Sequence, residues 1–342
     1  MVDGGWTLRR RLDFDNLAQG SALVDFPVLV VIDNTRIDYN STLNLGEDLR
    51  FVDADGSTVL PHEIESWDEN GTSYVWVKVP QIDGASVTDH MWMYYGNPGA
   101  PDGQAPAAVW SAGYQGVYHL HQSNLDDSTN PGYDGTNNGS VDAPGAIAHG
   151  REFDGISDTI ALGVNPPLLQ GVSQTTLSAW VRADNVAWAA NWAVSVSRFN
   201  GGTPTLEGRA KLGLGRDNEV LVGGRSTDAE IWRALETTSN LISVGIWYHI
   251  TGVIDYAGDT ISIYLDGTLA LSGTVAFDQP TTPNTPSSGS HIGSDCDGAR
   301  LFFDGLIDEV RISGVARSAD WIAAQYDSMT DAFVTFGPEE TL

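Results

Sequence analysis

The chain has 342 residues, with 17 Lys and Arg against 45 Asp and Glu and a formal charge of −28, a length that suits two or three domains, each with its own core. Hydrophobic residues at 41% and eleven Trp exclude intrinsic disorder, and the anionic charge, with no basic stripe, excludes nucleic acid as a main partner. No apolar run approaches the roughly 18 residues of a membrane span, the opening MVDGGWTLRR holds no apolar signal stretch, and Cys296, alone, leaves no disulfide framework within the chain.

Alternating or continuous apolar segments recur between Gly, Asp, Asn and Pro punctuation, the pattern of an all-β chain. Phe26 to Ile32, FPVLVVI, is a continuous apolar run that predicts a strand buried on both faces. Asp53-Ala-Asp55-Gly56 reads as a turn; an EF-hand there would put Phe51 first and His62 twelfth, where Glu is required. From Tyr74 to Val79, Val75, Val77 and Val79 face one way, while Tyr74, Trp76 and Lys78 face the other. GNPGAPDGQAPAA, from Gly96, has no apolar period and reads as a connector. Thr260 to Leu265 alternates ahead of Asp266-Gly267, a tight hairpin signal. DQPTTPNTPSSGS, Asp278 to Ser290, predicts a surface loop that packs no core. One short helix is expected from Ala319 to Tyr326, with Ser318 as its N-cap. The expected architecture is all-β: two β-sandwich domains in tandem, residues 1–100 and 110–337, with a linker at 101–109, one short C-terminal helix and a tail at 338–342.

WTLRRRLDF, DFPVLVVI, DLRFVDADG, LPHEIESWD, VWVKVP and MWMYYGN follow one another through residues 5–98 and resemble the family called domain of unknown function 2341. That resemblance implies a β-rich domain of surface or exported proteins, frequently placed before a lectin-like domain; it supplies no mechanism. VYHLHQS from Val117, DDSTNPGYDGT from Asp126, REFDG from Arg151, TLSAWVRA from Thr176, WYHITGVID from Trp247, ISIYLDG from Ile261 and FFDGLIDEVRIS from Phe302 resemble the laminin-G-like branch of the concanavalin A-like jelly rolls. This second resemblance implies two antiparallel sheets, a concave face and often one bound calcium. It identifies no ligand, since the fold hosts lectins, adhesins and enzymes.

Family 16 glycoside hydrolases share that fold and carry Glu-x-Asp-x-x-Glu on one strand. Here Leu306 and Arg311 stand where both carboxylates are required, so the hydrolytic pair is missing. PHEIES puts Ser66 where a zinc-protease helix after His62 and Glu63 needs its second histidine. Glu63 and Glu65, two apart on a strand, share a face that reads as solvated. His119 and His121 share a strand face, with no third ligand at zinc spacing. Cys296 sits between Asp295 and Asp297, which disfavour a thiolate. No enzyme is expected.

Hard oxygen ligands for calcium cluster in the second domain at Asp126, Asp127, Ser128, Asn130, Asp154 and Asp308, against the alternative that these are ordinary turn residues. For a sugar, whose C–H faces stack on aromatics while polar groups bond its hydroxyls, the candidates are Trp180, Trp188, Trp192 and Trp232, with Arg182, Arg198 and Arg225 as donors. Trp180 shares its strand face with Ser178 and Arg182, opposite Leu177, Ala179 and Val181, whereas Trp76 and Trp247 read as core residues. The expectation is a non-catalytic glycan-recognition or adhesion protein whose partner is a cell-surface glycan or glycoprotein. The alternatives are a structural or assembly module, an excised ectodomain, or the accessory carbohydrate-binding part of a polysaccharide-active enzyme. The 33 Asp, the 12 Glu and only two lysines, Lys78 and Lys211, suit a surface kept solvated in high salt; codon bias is the competing reading. With no signal stretch in the opening residues, a virion component of a halophile's virus (tail fibre, turret or capsid decoration, assembled as a homo-oligomer) is expected beside the ectodomain reading, displayed outside the cell with no direct membrane insertion.

Overall fold

A computed structural model describes residues 4–129, 132–163, 166–185, 191–198, 208–285 and 289–342, and the chain divides into two compact units, Met1–Ala112 with Ala323–Leu342, and Gly113–Ile322. Among the described residues no helix is long and apolar enough to cross a membrane.

The first unit is an antiparallel β-sandwich. Its five-stranded sheet runs in the order Val334–Thr341, Leu8–Phe14, His90–Tyr95, Arg50–Asp53, Val59–Leu60; its three-stranded sheet runs Leu23–Ile32, Ser73–Ile82, His62–Ser66. The run from Phe26 to Ile32 is buried throughout, on both faces, as its continuous hydrophobicity requires. Val75, Val77 and Val79 are buried from one side of the neighbouring strand, and Trp76 from the other. Asp55 closes the turn before Val59–Leu60 by accepting from the Ser57 and Thr58 backbone N–H groups at 2.7 and 2.8 Å.

The sequence-derived boundaries are corrected at both ends of this unit. Residues 338–342 are not a tail, and 110–337 is not one domain: Val334–Thr341 pairs with Leu8–Phe14 from Leu8↔Thr341 to Phe14↔Val334. The physical reason is that the open side of Leu8–Phe14 offers unpaired backbone groups that a partner strand must satisfy. Phe333 seals the join, 6.0 Å from the Phe14 ring and 5.8 Å from Phe26, and the Leu29 N–H donates to Ser328 Oγ at 2.7 Å. The 101–109 stretch is not a loose linker either. Arg50 donates to the Pro101 carbonyl, Gln104 Oε1 accepts from the Ile64 N–H at 2.7 Å, and residues Pro106–Val109 form a short helix.

Glu63 and Glu65 likewise leave the solvated face expected of them. Trp110 Nε1 donates to Glu63 Oε2 at 2.5 Å and Trp76 Nε1 to Glu65 Oε2 at 2.8 Å, while the two indoles pack 5.3 Å apart. The pair on one strand face therefore serves as acceptors for buried indole N–H groups, which need partners.

The second unit is a larger sandwich. One sheet runs Val141–Pro144, His149–Asp154, Asp304–Ser313, Gln174–Ala183, Tyr248–Asp255, Thr260–Leu265, Thr268–Thr274, with Tyr114–Tyr118 also paired to Asp304–Ser313. The other has seven strands, Arg233–Glu236, Val220–Gly224, Gly208–Leu214, Asn191–Arg198, His291–Ile292, Thr159–Leu162, Gly135–Asn138. The core between them takes alternate residues of each strand, such as Leu177, Ala179 and Val181 from one sheet and Ala210, Leu212 and Leu214 from the other. Asp266 and Gly267, at φ 48° and 75°, make the two-residue hairpin between Thr260–Leu265 and Thr268–Thr274. Residues 278–285 of the expected loop are more anchored than their composition implies: buried Arg209 donates to the carbonyls of Pro283 at 3.1 Å and of Thr285, and Thr282 is buried. The helix spans Ala319–Met329, three residues beyond the expected end, with Ser318 Oγ accepting from the Trp321 N–H at 3.2 Å.

Candidate functional site

The site is built on the face of the seven-stranded sheet that points away from the core. Because Ala210, Leu212 and Leu214 turn inward, alternation sends Lys211 and Gly213 outward. Register then lays one row across the whole sheet: Ala234, Gly223, Lys211, Ser195, His291, Ala161 and Thr136. Small residues make most of this floor, and Lys211 and His291 stand up from it. Trp232 lies over Gly223, where a Cβ would stand 2.5 Å from its Cζ2, and Trp192 over Gly213, where a Cβ would stand 3.0 Å from its Cε3. Glycine at both positions is what lets two indoles approach the backbone.

The indoles meet edge to face with centroids 5.8 Å apart, and Lys211 Nζ sits 5.0 Å from the Trp192 ring and 5.1 Å from the Trp232 ring, within cation–π range. Lys211 also donates to Asp295 Oδ1 at 2.6 Å, both side chains being 1% exposed. Asp295 heads a turn: its Oδ1 accepts from the Cys296 N–H at 2.7 Å, and Arg300 reaches its Oδ2 at 3.0 Å. His291 Nδ1 pairs with the Cys296 carbonyl at 3.1 Å, and burial pushes its pKa down, so its ring is held neutral. Two buried polar atoms here, Ser195 Oγ and Trp192 Nε1, have no hydrogen-bond partner among the described residues. Chemically, the site offers one half-buried indole, Trp232, over a buried Lys211–Asp295 pair, with Asp297 also held by Arg300 at 3.6 Å.

Among the described residues expected to bind sugar, Trp192 and Trp232 come together, one buried and one half-buried. Arg225 is on the neighbouring strand's end but 1% exposed, donating to the Asp228 carbonyl, so it braces the sheet and is not an open donor. Trp180 takes the predicted strand face yet is only 6% exposed, with the His249 ring 5.3 Å away at its register partner; a covered indole is no platform. Arg182 lies on that same face of the other sheet, 3.5 Å from Asp184. Trp188 and the side chain of Arg198 lie outside the described residues. Trp247, expected in the core, is half-buried. Lys211 and Asp295 were missed; the available signal was a lysine, one of two in the chain, inside a strand of small and apolar residues.

The proposed calcium ligands are not brought together among the described residues. Asp127 accepts from the N–H groups of Val117 (3.0 Å), Thr129 (2.9 Å) and Tyr133 (3.1 Å) and from Thr129 Oγ1 (2.9 Å), so both its oxygens order the loop. Asp154 closes a turn; burial raises its pKa, but the N–H groups of Ser157, Ile156 and Asp158 outweigh that and bring it to about 2. Asp308 is buried on a separate strand and accepts from the Ile147 N–H at 2.9 Å. Asp126 is exposed, Ser128 donates its N–H to the Val117 carbonyl at 3.0 Å, and Asn130 lies outside the described residues. Turn chemistry uses these carboxylates. His119 and His121 follow the end of Tyr114–Tyr118 and do not share a strand face, and Glu309 is buried against His119 and, at 2.5 Å, Arg311.

Residues 154–323 match the model described as the concanavalin A-like lectin/glucanases superfamily, and residues 45–142 match domain of unknown function 2341. No curated protein matches the chain. Among solved structures, domain 4 of AbnA, a GH43 extracellular arabinanase from Geobacillus stearothermophilus in complex with arabinotriose, is 19% identical over 61% of this chain and 96% of its own, with a TM-score of 0.46. The botulinum neurotoxin serotype G binding domain is 14% identical over 62% of this chain, with a TM-score of 0.47, and this chain spans 50% of its length. The CBM40 of a Ruminococcus gnavus IT-sialidase, bound to α2,3-sialyllactose, is 17% identical over 46% of this chain and 83% of its own, with a TM-score of 0.38. The chain thus carries two family segments in order, one similar to domain of unknown function 2341 and, after it, one similar to the concanavalin A-like lectin/glucanase superfamily.

Proposed function

We propose that the second unit recognises a glycan without cleaving it, through the sheet face around Trp192, Trp232, Lys211 and Asp295. The observation that carries this reading is half-buried Trp232, its indole laid over Gly223 and braced from beneath by buried Trp192 and Lys211. Sugar C–H faces stack on indoles, and Trp232 is the ring with open area, Trp192 and the Lys211–Asp295 pair being the buried support under it. The lectin/glucanase match over this unit supports the substrate class. The two carboxylates described here are both engaged, Asp295 by Lys211 and Arg300 and Asp297 by Arg300, which supports recognition over hydrolysis. In this reading the protein is an adhesion module on an exterior surface, as a virion attachment component assembled from several copies. The Asp-rich, Lys-poor composition supports a halophilic setting.

A glycan array probed with the full chain at low and high salt tests it. Binding is expected, and Trp232→Ala should weaken it about tenfold, the loss of ~1.4 kcal/mol of stacking. A clean array at both salts, or an unaffected variant, sinks the reading. In that case Ile231, 64% exposed beside half-buried Trp232, favours a protein-assembly face. Capsid, portal and tail genes beside this one would support the virion placement; a membrane span downstream in the same reading frame would count against it.

A further inference from the structure

Away from that site, His121 and His149 meet edge to face, with ring centroids 4.9 Å apart and planes at 80°. His149 Nδ1 lies 3.0 and 3.2 Å from the two oxygens of Asp142, which places the proton on Nδ1 and leaves the Nε2 lone pair for a ligand. The buried Nδ1 of His121 has no hydrogen-bond partner among the described residues. The backbone beside both rings is strained: Leu120, Gln122 and Ala148 adopt φ of 59°, 50° and 44°, the left-handed region that side-chain-bearing residues avoid. Buried Arg151 holds this geometry, donating to the Gln122 carbonyl at 2.6 Å and to the Ser140 carbonyl. Strain of this kind persists where the surroundings fix it, and it collects at ligand clamps.

We propose that His121 and His149 together bind a borderline divalent cation of the zinc class, with Asp142 as the residue that orients the His149 ring. Two imidazole nitrogens suit Zn²⁺, Ni²⁺ or Cu²⁺, not the hard-oxygen cation Ca²⁺. A carboxylate behind a ligating histidine fixes its tautomer and raises its basicity. Water completes the coordination shell.

Calorimetric titration of the metal-free full chain with Zn²⁺ alone tests this. One site is expected. His121→Ala and His149→Ala should each abolish it, and Asp142→Asn should weaken it about 10–100-fold. His90→Ala, whose ring packs on Trp92 in the other unit, should bind as the parent does. No heat with the parent protein, or full binding by either histidine variant, overturns the proposal. Should the alanine variants lose their folded circular dichroism, Cu²⁺ on the parent protein decides: electron paramagnetic resonance showing two imidazole nitrogens supports the site, and a spectrum without them overturns it.

Discussion

Asp295→Asn removes the charge opposite Lys211 while keeping the shape of the side chain. Both partners are 1% exposed, so water does not replace what is lost. At 2.6 Å and an effective dielectric of about 20, the attraction is ~6 kcal/mol. In the intact protein the desolvation of both ions cancels most of it; in the variant, the desolvation of Lys211 stands uncompensated. The two indoles, 5.0 and 5.1 Å from Nζ, return ~1–2 kcal/mol. The expected loss is about 3 kcal/mol from the second unit's unfolding transition. Lys211→Met should cost less, about 1–2 kcal/mol, because Asp295 keeps Arg300 and the Cys296 N–H. The double variant should be no less stable than Asp295→Asn alone. Urea unfolding followed by tryptophan fluorescence and circular dichroism measures all four corners of the cycle. Raising salt from about 0.1 to 1 M shortens the Debye length from ~10 to ~3 Å and should leave the coupling unchanged. An Asp295→Asn loss under about 1 kcal/mol, or a coupling that vanishes in salt, would refute a buried pair.

Gly223→Ala should displace Trp232, since its Cβ would stand 2.4 Å from the Arg233 carbonyl and 2.5 Å from the indole; a loss of about 1–3 kcal/mol with red-shifted fluorescence is expected. Asp127→Asn should cost about 2 kcal/mol through its four donors, equally with and without millimolar calcium, and a calcium-dependent difference would restore the metal reading. Burial first, then Arg50, lowers the His62 pKa to about 4, and burial, then Arg311, lowers that of His249 to about 3. Each contributes stability that is full above the unfolded value of about 6.5 and is lost as pH falls toward the folded value, at up to ~1.4 kcal/mol per pH unit per histidine. Neither ring nitrogen of buried His62 has a hydrogen-bond partner among the described residues, and Phe51 lies 5.4 Å away. His62→Phe should therefore add about 1–3 kcal/mol and flatten the slope of urea midpoint against pH for the first unit.

Local pattern alone determined much of this protein. Period-2 alternation marked Tyr74–Val79, Thr260–Leu265 and the two faces of Gln174–Ala183, because a strand's side-chain direction depends only on its own pleat. The continuous run from Phe26 to Ile32 announced burial on both faces, Asp266-Gly267 its hairpin, and Ser318 its helix cap, each set within a few residues of chain. Partnership across the fold was left to tertiary structure. PEET at residues 338–341 reads as a polar tail, and only the open side of Leu8–Phe14 makes it a strand. Glu63 and Glu65 read as solvated until Trp110 and Trp76 supply their donors. Trp180 stood on the correct face, but its exposure depended on His249 in the adjacent strand. Lys211 with Asp295, and His121 with His149, are joined by sheet register and loop return. No residue near any one of them in sequence carries that information, because side-chain chemistry fixes what a group needs, while the packing of distant strands fixes which group supplies it.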